Sequence, residues 1–367
     1  MDDRCAARGY TPAVSTRGNR RQIGRGTLAI RADKREDLHG WWQKTSTYFI
    51  SRHSIEYIED PIMKSPHSLT RRDFTAKAAA AAAALVAVSP SLLAQIEAGK
   101  RFKIIGFTKP FQNLSFEDTA DTVAEIGWDG IECPVRPKGQ IEPERAPDEL
   151  PKLVEALRRR GKELTLMTTA ITSVSLPHTE PLLRTAAKLG IRRYRLGFLK
   201  YDLARSIPDQ VTEIGARLRD LAALNAELGL QGGFQNHSGR DQVGAPVWDL
   251  WTMMKDLDPR QMGVCFDIAH ATIEGGLSHM IEARLLQRHF TAVFVKDFLW
   301  ERTDNGWRER WVPLGDGMVE KSFFKWLKTT SFGGPISQHH EYDHGEGRPM
   351  IAKMQKDLKV LREWLAA

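Results

Sequence analysis

The chain has 367 residues, enough for one large α/β domain or two smaller ones, and its formal net charge is +7. The charge is uneven, because residues 1–62 carry a net +3 and residues 63–94 another +3, which leaves +1 for the remainder. A body so close to neutral gives no electrostatic reason to expect nucleic acid or an anionic membrane as a partner.

Residues 63–94 carry a targeting pattern. Arg71 and Arg72 are followed by Phe74, by a weakly hydrophobic alanine-rich stretch, and by Ala94, a small residue where cleavage would fit. This resembles a twin-arginine signal peptide and predicts export by the twin-arginine machinery to the periplasm or the medium. An alanine run is also good helix-forming sequence, which is the alternative interpretation.

The segment before this pattern, residues 1–62, has basic clusters and no sustained apolar periodicity, so we predict that it is disordered. Met63 would then be the true start of the protein, and the preceding residues an over-extended gene model. The alanine-rich stretch is shorter than the ~20 residues of a membrane span. Pro90 also interrupts its exit, so we predict no membrane anchor.

From Phe102 onward, short apolar runs alternate with helical patterns. The runs predict strands over 102–107, 130–135, 163–170, 192–198, 232–236, 262–267, 291–296 and 335–341. The helical patterns cover 115–127, 148–160, 180–189, 210–228, 247–257, 280–289, 321–328 and 349–364. Eight such units over roughly 270 residues predict a single (β/α)8 TIM barrel, with residues 95–367 as one catalytic domain. A doubly wound open sheet is the alternative, but the first turn lacks its glycine pattern.

One connection is too long for a simple turn. Residues 300–319, after the seventh predicted strand, hold three tryptophans and predict a small flap over the barrel mouth. Cys133 and Cys265 fall in strands that would lie on opposite sides of the barrel, too far apart for a disulfide. We expect both cysteines to be buried apolar fillers.

Polar side chains close four of the later strands. They are Gln235-Asn236-His237, Asp267 with His270, Lys296-Asp297, and His339-His340-Glu341. The carboxyl ends of the strands meet at one mouth of a parallel barrel, so these groups should lie close together. Imidazole, carboxylate, amide and ammonium groups in one place suit a divalent metal acting on a hydroxylated substrate.

These strand ends resemble the xylose isomerase-like TIM-barrel superfamily, in its group of sugar phosphate isomerases and epimerases. The resemblance runs from about Phe102 to the end, and its elements are Gly127-Trp128-Asp129-Gly130-Ile131-Glu132, Gln235-Asn236-His237, Phe266-Asp267 with His270, Lys296-Asp297, Pro313-Leu314-Gly315-Asp316-Gly317 and Glu341-Tyr342. The resemblance implies one divalent metal, with Mn²⁺ favoured and Mg²⁺, Co²⁺ or Zn²⁺ as alternatives. Members include isomerases, keto-sugar 3-epimerases, inosose dehydratases and DNA-repair endonucleases.

The expected metal ligands are Asp267 and Glu341, with His237 and Gln235 on the same face of their strand. The chain departs from the superfamily pattern at two ligand positions, because Gln235 stands where a Glu is common and Phe294 where a His is common. The metal could therefore be completed by other histidines, be weakly bound, or be absent. The alternative role of the two carboxylates is a structural salt bridge.

Three residues are candidates for proton transfer. Lys296 ends an apolar strand, where burial and a metal would lower its pKa, so it is a candidate general base or a cation that steadies an enediolate oxygen. Its alternative is a salt bridge to Glu341 or Asp267. Glu132, at the end of the second strand, could take the opposite proton role, and His270 is placed on a loop as a further catalytic or substrate contact.

The candidate substrate contacts are Asn236, Arg136, Arg195, His339 and Trp300. The two arginines are alternatively partners of Glu132, and Asn236 has the strand parity of a structural residue. Trp300 could stack on a sugar face or belong to the flap core.

The resemblance and the strand-end residues together predict a metal-dependent isomerase or epimerase that abstracts a proton beside the carbonyl of a sugar or keto-sugar. A keto-sugar or inosose-type dehydratase would share the enediolate intermediate and stays open. So does a non-catalytic periplasmic carbohydrate-binding barrel. Predicted export argues against a phosphorylated substrate, and the near-neutral body argues against a nuclease.

Overall fold

The computed structural model describes residues 102–367, and the structural findings concern this part of the chain. The predicted extension over 1–62 and the predicted signal peptide over 63–94 lie outside the described residues. Within residues 102–367, no helix is long and apolar enough to cross a membrane.

Eight parallel strands close into a barrel, as predicted. Within residues 102–367 the strands in chain order are β1 (Ile104–Phe107), β2 (Gly130–Val135), β3 (Glu163–Thr169), β4 (Arg193–Arg195), β5 (Gln231–Gln235), β6 (Met262–Asp267), β7 (Phe290–Val295), β8 (Asp297–Thr303), β9 (Gly306–Val312) and β10 (Ile336–Gln338). The barrel order is β1-β10-β7-β6-β5-β4-β3-β2, with β1 closing on β2. The chain therefore winds once around a single (β/α)8 barrel, and the open-sheet alternative is wrong.

Helices cover the outside of the barrel. They are α1 (Phe116–Ile126), α2 (Ala146–Arg159), α3 (Thr179–Lys188), α4 (Ile207–Leu228), α5 (Trp248–Met254), α6 (Ile268–Gly275), α7 (His279–Leu286), α8 (Ser322–Lys328) and α9 (Gly347–Ala366). Helix α1 begins behind Ser115, whose hydroxyl accepts the backbone N–H of Asp118, and ends at Gly127 in the left-handed conformation. Helix α6, directly after β6, has no counterpart among the predicted helices.

The predicted flap is a two-stranded hairpin. Strands β8 and β9 pair antiparallel, from Asp297 opposite Val312 to Thr303 opposite Gly306. The hairpin therefore begins directly behind Lys296, at the end of β7.

The core has two layers. Most buried apolar side chains lie between the sheet and the helices, and a small cluster fills the barrel interior, with Phe294 as its largest member. Trp128 is fully buried against Gly106, where any Cβ would overlap its ring, and its Nε1–H donates to Gln338 Oε1 at 2.9 Å. Cys133 and Cys265 are free and buried on the opposed strands β2 and β6, as expected.

Candidate active site

Asp267 organises one side of the barrel mouth. It is the last residue of β6 and fully buried, and its Oδ1 accepts the backbone N–H groups of Ala269 (3.1 Å) and His270 (3.2 Å). Asp267 is therefore the N-cap of α6. This corrects the loop position predicted for His270, which lies in the first helical turn with its side chain buried.

Lys296 lies at the centre of the site. Its Nζ is 2.9 Å from Glu341 Oε1, 2.8 Å from His270 Nε2 and 3.4 Å from Asp267 Oδ2. The ring of Trp311, from the hairpin, stands 4.4 Å from the ammonium. Only 2% of the Lys296 side chain is exposed. The salt bridges weighed as its alternative role are both present.

The charges of this cluster are fixed by mutual attraction. Burial alone would lower the pKa of Lys296, but the charges of Asp267 and Glu341 outweigh it and hold the pKa above its ordinary value. Burial likewise opposes the ionised form of Glu341, yet the Lys296 charge lowers its pKa to about 2. The predicted lowering of the Lys296 pKa is therefore wrong, and the side chain is an ammonium at neutral pH.

His270 is held as a neutral imidazole. Burial, with the charge of Lys296, holds its pKa well below the ordinary value. An ammonium only donates, so His270 Nε2 accepts from Lys296 and the ring proton lies on Nδ1. That Nδ1–H donates to Ser238 Oγ at 2.7 Å.

His237, the second predicted imidazole of this region, packs against His270 with 3.8 Å between ring centroids and the ring planes tilted by 37°. Its Nδ1 donates to the Ser238 carbonyl at 2.7 Å, since a carbonyl can only accept. Burial and the charge of Lys296 lower its pKa, so both rings are neutral at neutral pH.

Amides from β5 hold Asp267 from the neighbouring strand. Arg195 Nη1 donates to Gln235 Oε1 at 3.3 Å, and Gln235 Nε2 donates to Asp267 Oδ2 at 2.9 Å. Asn236 bonds the Asp267 backbone twice, accepting its N–H at 2.8 Å and donating to its carbonyl at 3.0 Å. The oxygen and the N–H₂ group of the Asn236 amide are thus both bonded to the Asp267 backbone, which favours the structural role over substrate contact.

A second polar pair lies inside the barrel. Glu132 is the third residue of β2 rather than its end, and it is fully buried. Its carboxylate accepts from Ser337 Oγ (2.6 Å), His339 Nε2 (2.8 Å) and Thr168 Oγ1. Burial would raise the pKa of Glu132, but His339 and these hydrogen bonds hold it below its ordinary value. The hydrogen-bond partners of Glu132 are therefore not Arg136 and Arg195, which were the alternative prediction.

The His339 ring lies between two aromatic side chains. Its centroid is 4.5 Å from that of Phe294 and 4.9 Å from that of Phe107. Because Glu132 accepts at Nε2, Nε2 carries a proton, and Nδ1 is the ring nitrogen that Glu132 does not hold. Glu132 and His339 form a dyad in which the carboxylate orients the imidazole.

The remaining predicted contacts lie around this centre. Arg195 stacks over Phe198 at 4.3 Å, and Arg136 lies over Phe107 at 5.8 Å. Trp300 is on β8 with 39% of its surface exposed and packs edge-on against Phe298. Of these side chains, Arg195 is linked to Asp267 by its hydrogen bond to Gln235.

A divalent metal does not fit these side chains as they are arranged. Lys296 Nζ occupies the space between Asp267 and Glu341, the two carboxylates expected to be ligands. Gln235 turns its N–H₂ rather than its oxygen toward Asp267, and Phe294 offers no donor. Within residues 102–367, no group of three His, Cys, Asp or Glu side chains is placed to hold a metal ion. The expected site, with Mn²⁺ favoured, is therefore not supported.

Several residues of the site were not identified from the sequence. Ser238 contacts His270, and a serine does not signal such a role by itself. Trp311 contacts Lys296 and was predicted only as one of the three tryptophans of the flap. Ser337 and Thr168, which bond Glu132, lie inside strands that read as ordinary apolar runs. Strand alternation gives the face on which Thr168 lies. Its contact with Glu132 could be predicted only if the depth of Glu132 in the barrel were known.

The comparisons with known proteins agree with this architecture. A family model described as "Xylose isomerase-like TIM barrel" matches residues 120–364, and the chain belongs to this family. No curated protein sequence matches the chain.

Three solved structures illustrate the range of similar barrels. The 3-keto-D-glucoside 4-epimerase YcjR from E. coli is 16% identical, with a TM-score of 0.56 over 72% of this chain and 100% of that chain. The probable 3-DHS dehydratase AsbF from Bacillus anthracis is 16% identical, with a TM-score of 0.55 over 71% and 98%. A xylose isomerase-like TIM barrel protein from Mycobacterium smegmatis in complex with magnesium is 15% identical, with a TM-score of 0.54 over 72% and 98%. At these identities the similarity shows the fold alone.

Proposed function

We propose that this barrel is a sugar isomerase or epimerase that abstracts a proton beside the carbonyl of a sugar or keto-sugar. The observation that carries the proposal is the buried Lys296 ammonium between Asp267, His270 and Glu341 at the mouth of the barrel. A fixed cation in a site of low polarity is suited to the negative charge that develops on an enediolate oxygen. The epimerases and the dehydratase among the similar barrels support the same reaction class.

The substrate oxygen would enter by replacing one partner of the ammonium. Lys296 Nζ has three N–H donors and three acceptors within reach, so a fourth acceptor needs one of them to leave. Asp267 and His270 are buried, whereas 29% of the Glu341 side chain is exposed. Glu341 is therefore the partner that the substrate carbonyl displaces.

Two groups can then exchange protons with the substrate. The displaced Glu341 loses the Lys296 charge that lowers its pKa, and so becomes a stronger base beside the bound carbonyl. His339, two residues earlier on the same face of the chain, presents Nδ1 while Glu132 holds its other nitrogen. Which carbon each group reaches decides between isomerisation and epimerisation.

A dehydratase is the second candidate. Elimination of water needs a base for the carbon-bound proton and an acid for the leaving hydroxyl. Glu341 would take the carbon-bound proton, and His339 with Nδ1 protonated would give its proton to the leaving hydroxyl, which departs as water. Lys296 would steady the enolate formed on the way, as in the isomerase reaction.

We further propose that the substrate is an unphosphorylated carbohydrate met outside the cytoplasm. The support is the twin-arginine pattern around Arg71 and Arg72, since sugar phosphates are cytoplasmic metabolites. The near-neutral body supports a small-molecule partner over nucleic acid.

The test is proton exchange in D₂O. The purified protein is incubated with free aldoses, ketoses, 3-keto-glycosides and the corresponding phosphates, each with EDTA and with added Mn²⁺. Reversible enediolate formation places deuterium at the carbon beside the carbonyl, whichever product follows. Turnover without deuterium incorporation would indicate a hydride shift, and turnover confined to phosphates would contradict the proposed substrate class. No exchange and no product across the panel would favour a carbohydrate-binding barrel.

A further inference from the structure

The superfamily pattern implies four residues around a metal, and this chain has two of them and differs at the other two positions. Asp267 and Glu341 are present, while the remaining positions hold Gln235 and Phe294. Gln235 is oriented by Arg195, whose guanidinium donates to Oε1 and so turns the N–H₂ group toward Asp267. An amide in this orientation donates to the carboxylate and offers no electron pair to a cation.

The position of Phe294 is apolar as well as empty of donors. Its ring is fully buried in the cluster that fills the barrel interior, and it packs 4.5 Å from the ring of His339. A His at this position would need a partner for its second nitrogen, as metal-bound histidines do. The aromatic neighbour instead orients His339, which is the imidazole of the proposed dyad.

A single atom fills the space that the two carboxylates enclose. Lys296 Nζ is 3.4 Å from Asp267 Oδ2, 2.9 Å from Glu341 Oε1 and 2.8 Å from His270 Nε2. Oxygen and nitrogen ligands bind a first-row divalent metal at about 2.0–2.2 Å, so a metal could take this place only if the ammonium left. The ring of Trp311 also lies 4.4 Å from the ammonium.

We infer that the Lys296 ammonium takes the place of the metal in this barrel, and that the site works as a metal-independent centre. The inference rests on the proposed function for the reaction it serves, but its physical content is the occupation of the cation position. Three features act together: a permanent internal cation, an amide donor in place of a carboxylate ligand, and an apolar ring in place of an imidazole ligand. Each of these features would weaken metal binding, and each is compatible with an ammonium group at the cation position.

The first experiment measures metal in the full-length protein after purification from metal-supplemented medium, together with its thermal midpoint in EDTA and in Mn²⁺. We expect a metal content well below one ion per chain and the same midpoint in both solutions. One tightly held ion per chain, or a midpoint that rises in Mn²⁺ and falls in EDTA, would overturn the inference. This readout does not depend on knowing the substrate.

The second experiment empties the cation position. Lys296→Met keeps an unbranched side chain that is one atom shorter and has no charge, and Gln235→Glu places a carboxylate at the strand-five position. The double variant should bind Mn²⁺ by titration calorimetry, while Gln235→Glu alone should not, because Lys296 still fills the space. Binding by Gln235→Glu alone would contradict the inference. If the double variant does not fold, as judged by circular dichroism, the wild-type metal measurement decides.

The two proposals fail in different ways. If a substrate of the D₂O panel exchanges, wild-type exchange should be the same in EDTA and in Mn²⁺, and Lys296→Met should lower its rate by about 10²-fold or more. Exchange that disappears in EDTA would overturn the metal-independent centre and leave the proposed reaction standing. Metal-free protein that exchanges no substrate would overturn the proposed reaction and leave the metal-independent centre standing.

Discussion

Lys296 donates from Nζ to Nε2 of His270 across 2.8 Å, and this bond fixes the single ring proton of His270 on Nδ1. Ser238 accepts that proton at 2.7 Å. The neutral imidazole thus bridges the buried cation and the chain segment after β5. His270 supports the ammonium through its lone pair rather than through charge.

Two substitutions of His270 separate its two nitrogens. The amide of His270→Gln reaches the position of Nε2 and can accept from Lys296, whereas that of His270→Asn reaches only the position of Nδ1. We expect His270→Asn to lower the free energy of unfolding by a further ~1.5–3 kcal/mol, the range for a hydrogen bond to a charged group. Urea unfolding of both variants measures this difference. Equal losses would show that the bond to Lys296 contributes no more to stability than the bond to Ser238.

The Glu132–His339 dyad predicts a loss of turnover on substitution of its buried carboxylate. Glu132→Gln keeps the shape but replaces one acceptor oxygen with a donor, so His339 can lose its partner at Nε2 and adopt the other tautomer. We expect kcat to fall by about 10²-fold or more. Ser337→Ala removes a bond to the same carboxylate without touching His339, and should have a much smaller effect. Equal effects of the two would assign Glu132 to packing.

Stability in acid gives an independent measurement on Glu132. Its pKa is lower in the folded protein than its ordinary value of 4.5, so its contribution is complete above that value and is lost as the pH falls below it. The Gln variant has no proton to gain at this position. The difference in unfolding free energy between wild type and Glu132→Gln should therefore shrink on acidification.

The fold was predictable because each unit carries its own signals. The strands over Gly130–Val135 and Met262–Asp267 have the predicted bounds, since turn residues and helix starts delimit both runs. The strands around Arg193–Arg195 and Ile336–Gln338 are shorter than predicted. The residues that follow these strands, 196–198 and 339–341, were included in the predicted runs, and the residue pattern does not show where regular strand pairing stops.

The site was predictable only in part, because alternation gives the face of a strand and not the depth of a residue in the barrel. Asp267, Lys296 and Glu341 were expected together and lie together. Glu132 was placed at the mouth but lies lower, where β2 meets β1 and β3. His270 is predicted on a loop, whereas it lies in a helix, because strand periodicity does not reveal that Asp267 caps a helix directly after β6.

A buried pair outside the active site predicts a pH effect. Burial raises the pKa of Asp357 to about 6, although the Tyr342 hydroxyl donates to it at 2.8 Å. The folded protein therefore favours the protonated acid, and this contribution to stability is present below about pH 4 and lost as the pH rises through 6.

Asp357→Asn should become more stable relative to wild type as the pH rises from about 4 to 7, by up to ~3 kcal/mol. The neighbouring His340 titrates in both proteins, so its own contribution largely cancels in the difference. Denaturant unfolding at several pH values gives the curve. A difference that is flat with pH would mean that Asp357 is ionised at no cost in the folded protein.

The last prediction concerns the base of the hairpin that covers Lys296. The buried carboxylate of Asp297 accepts the backbone N–H groups of Phe298 (2.9 Å), Gly315 (3.0 Å), Gly317 (3.1 Å) and Val319 (2.9 Å). One side chain thus closes the whole insertion onto the end of β7. Asp297→Asn keeps a single acceptor oxygen, and each bond lost to a charged acceptor is worth ~1.5–3 kcal/mol. We expect faster hydrogen exchange of the loop amides and lower turnover, because Trp311 is no longer held over the ammonium.

Asp316 provides the matched control for this substitution. It lies on the same loop, but its side chain is exposed and reaches only Lys356 at 3.8 Å, so Asp316→Asn should leave both the exchange rates and turnover unchanged. Hydrogen exchange followed by mass spectrometry over 313–319 compares the two variants directly. If Asp297→Asn exchanges at the wild-type rate, the loop is held by its packing instead. If exchange rises while turnover stays the same, the hairpin does not position Trp311 for the reaction.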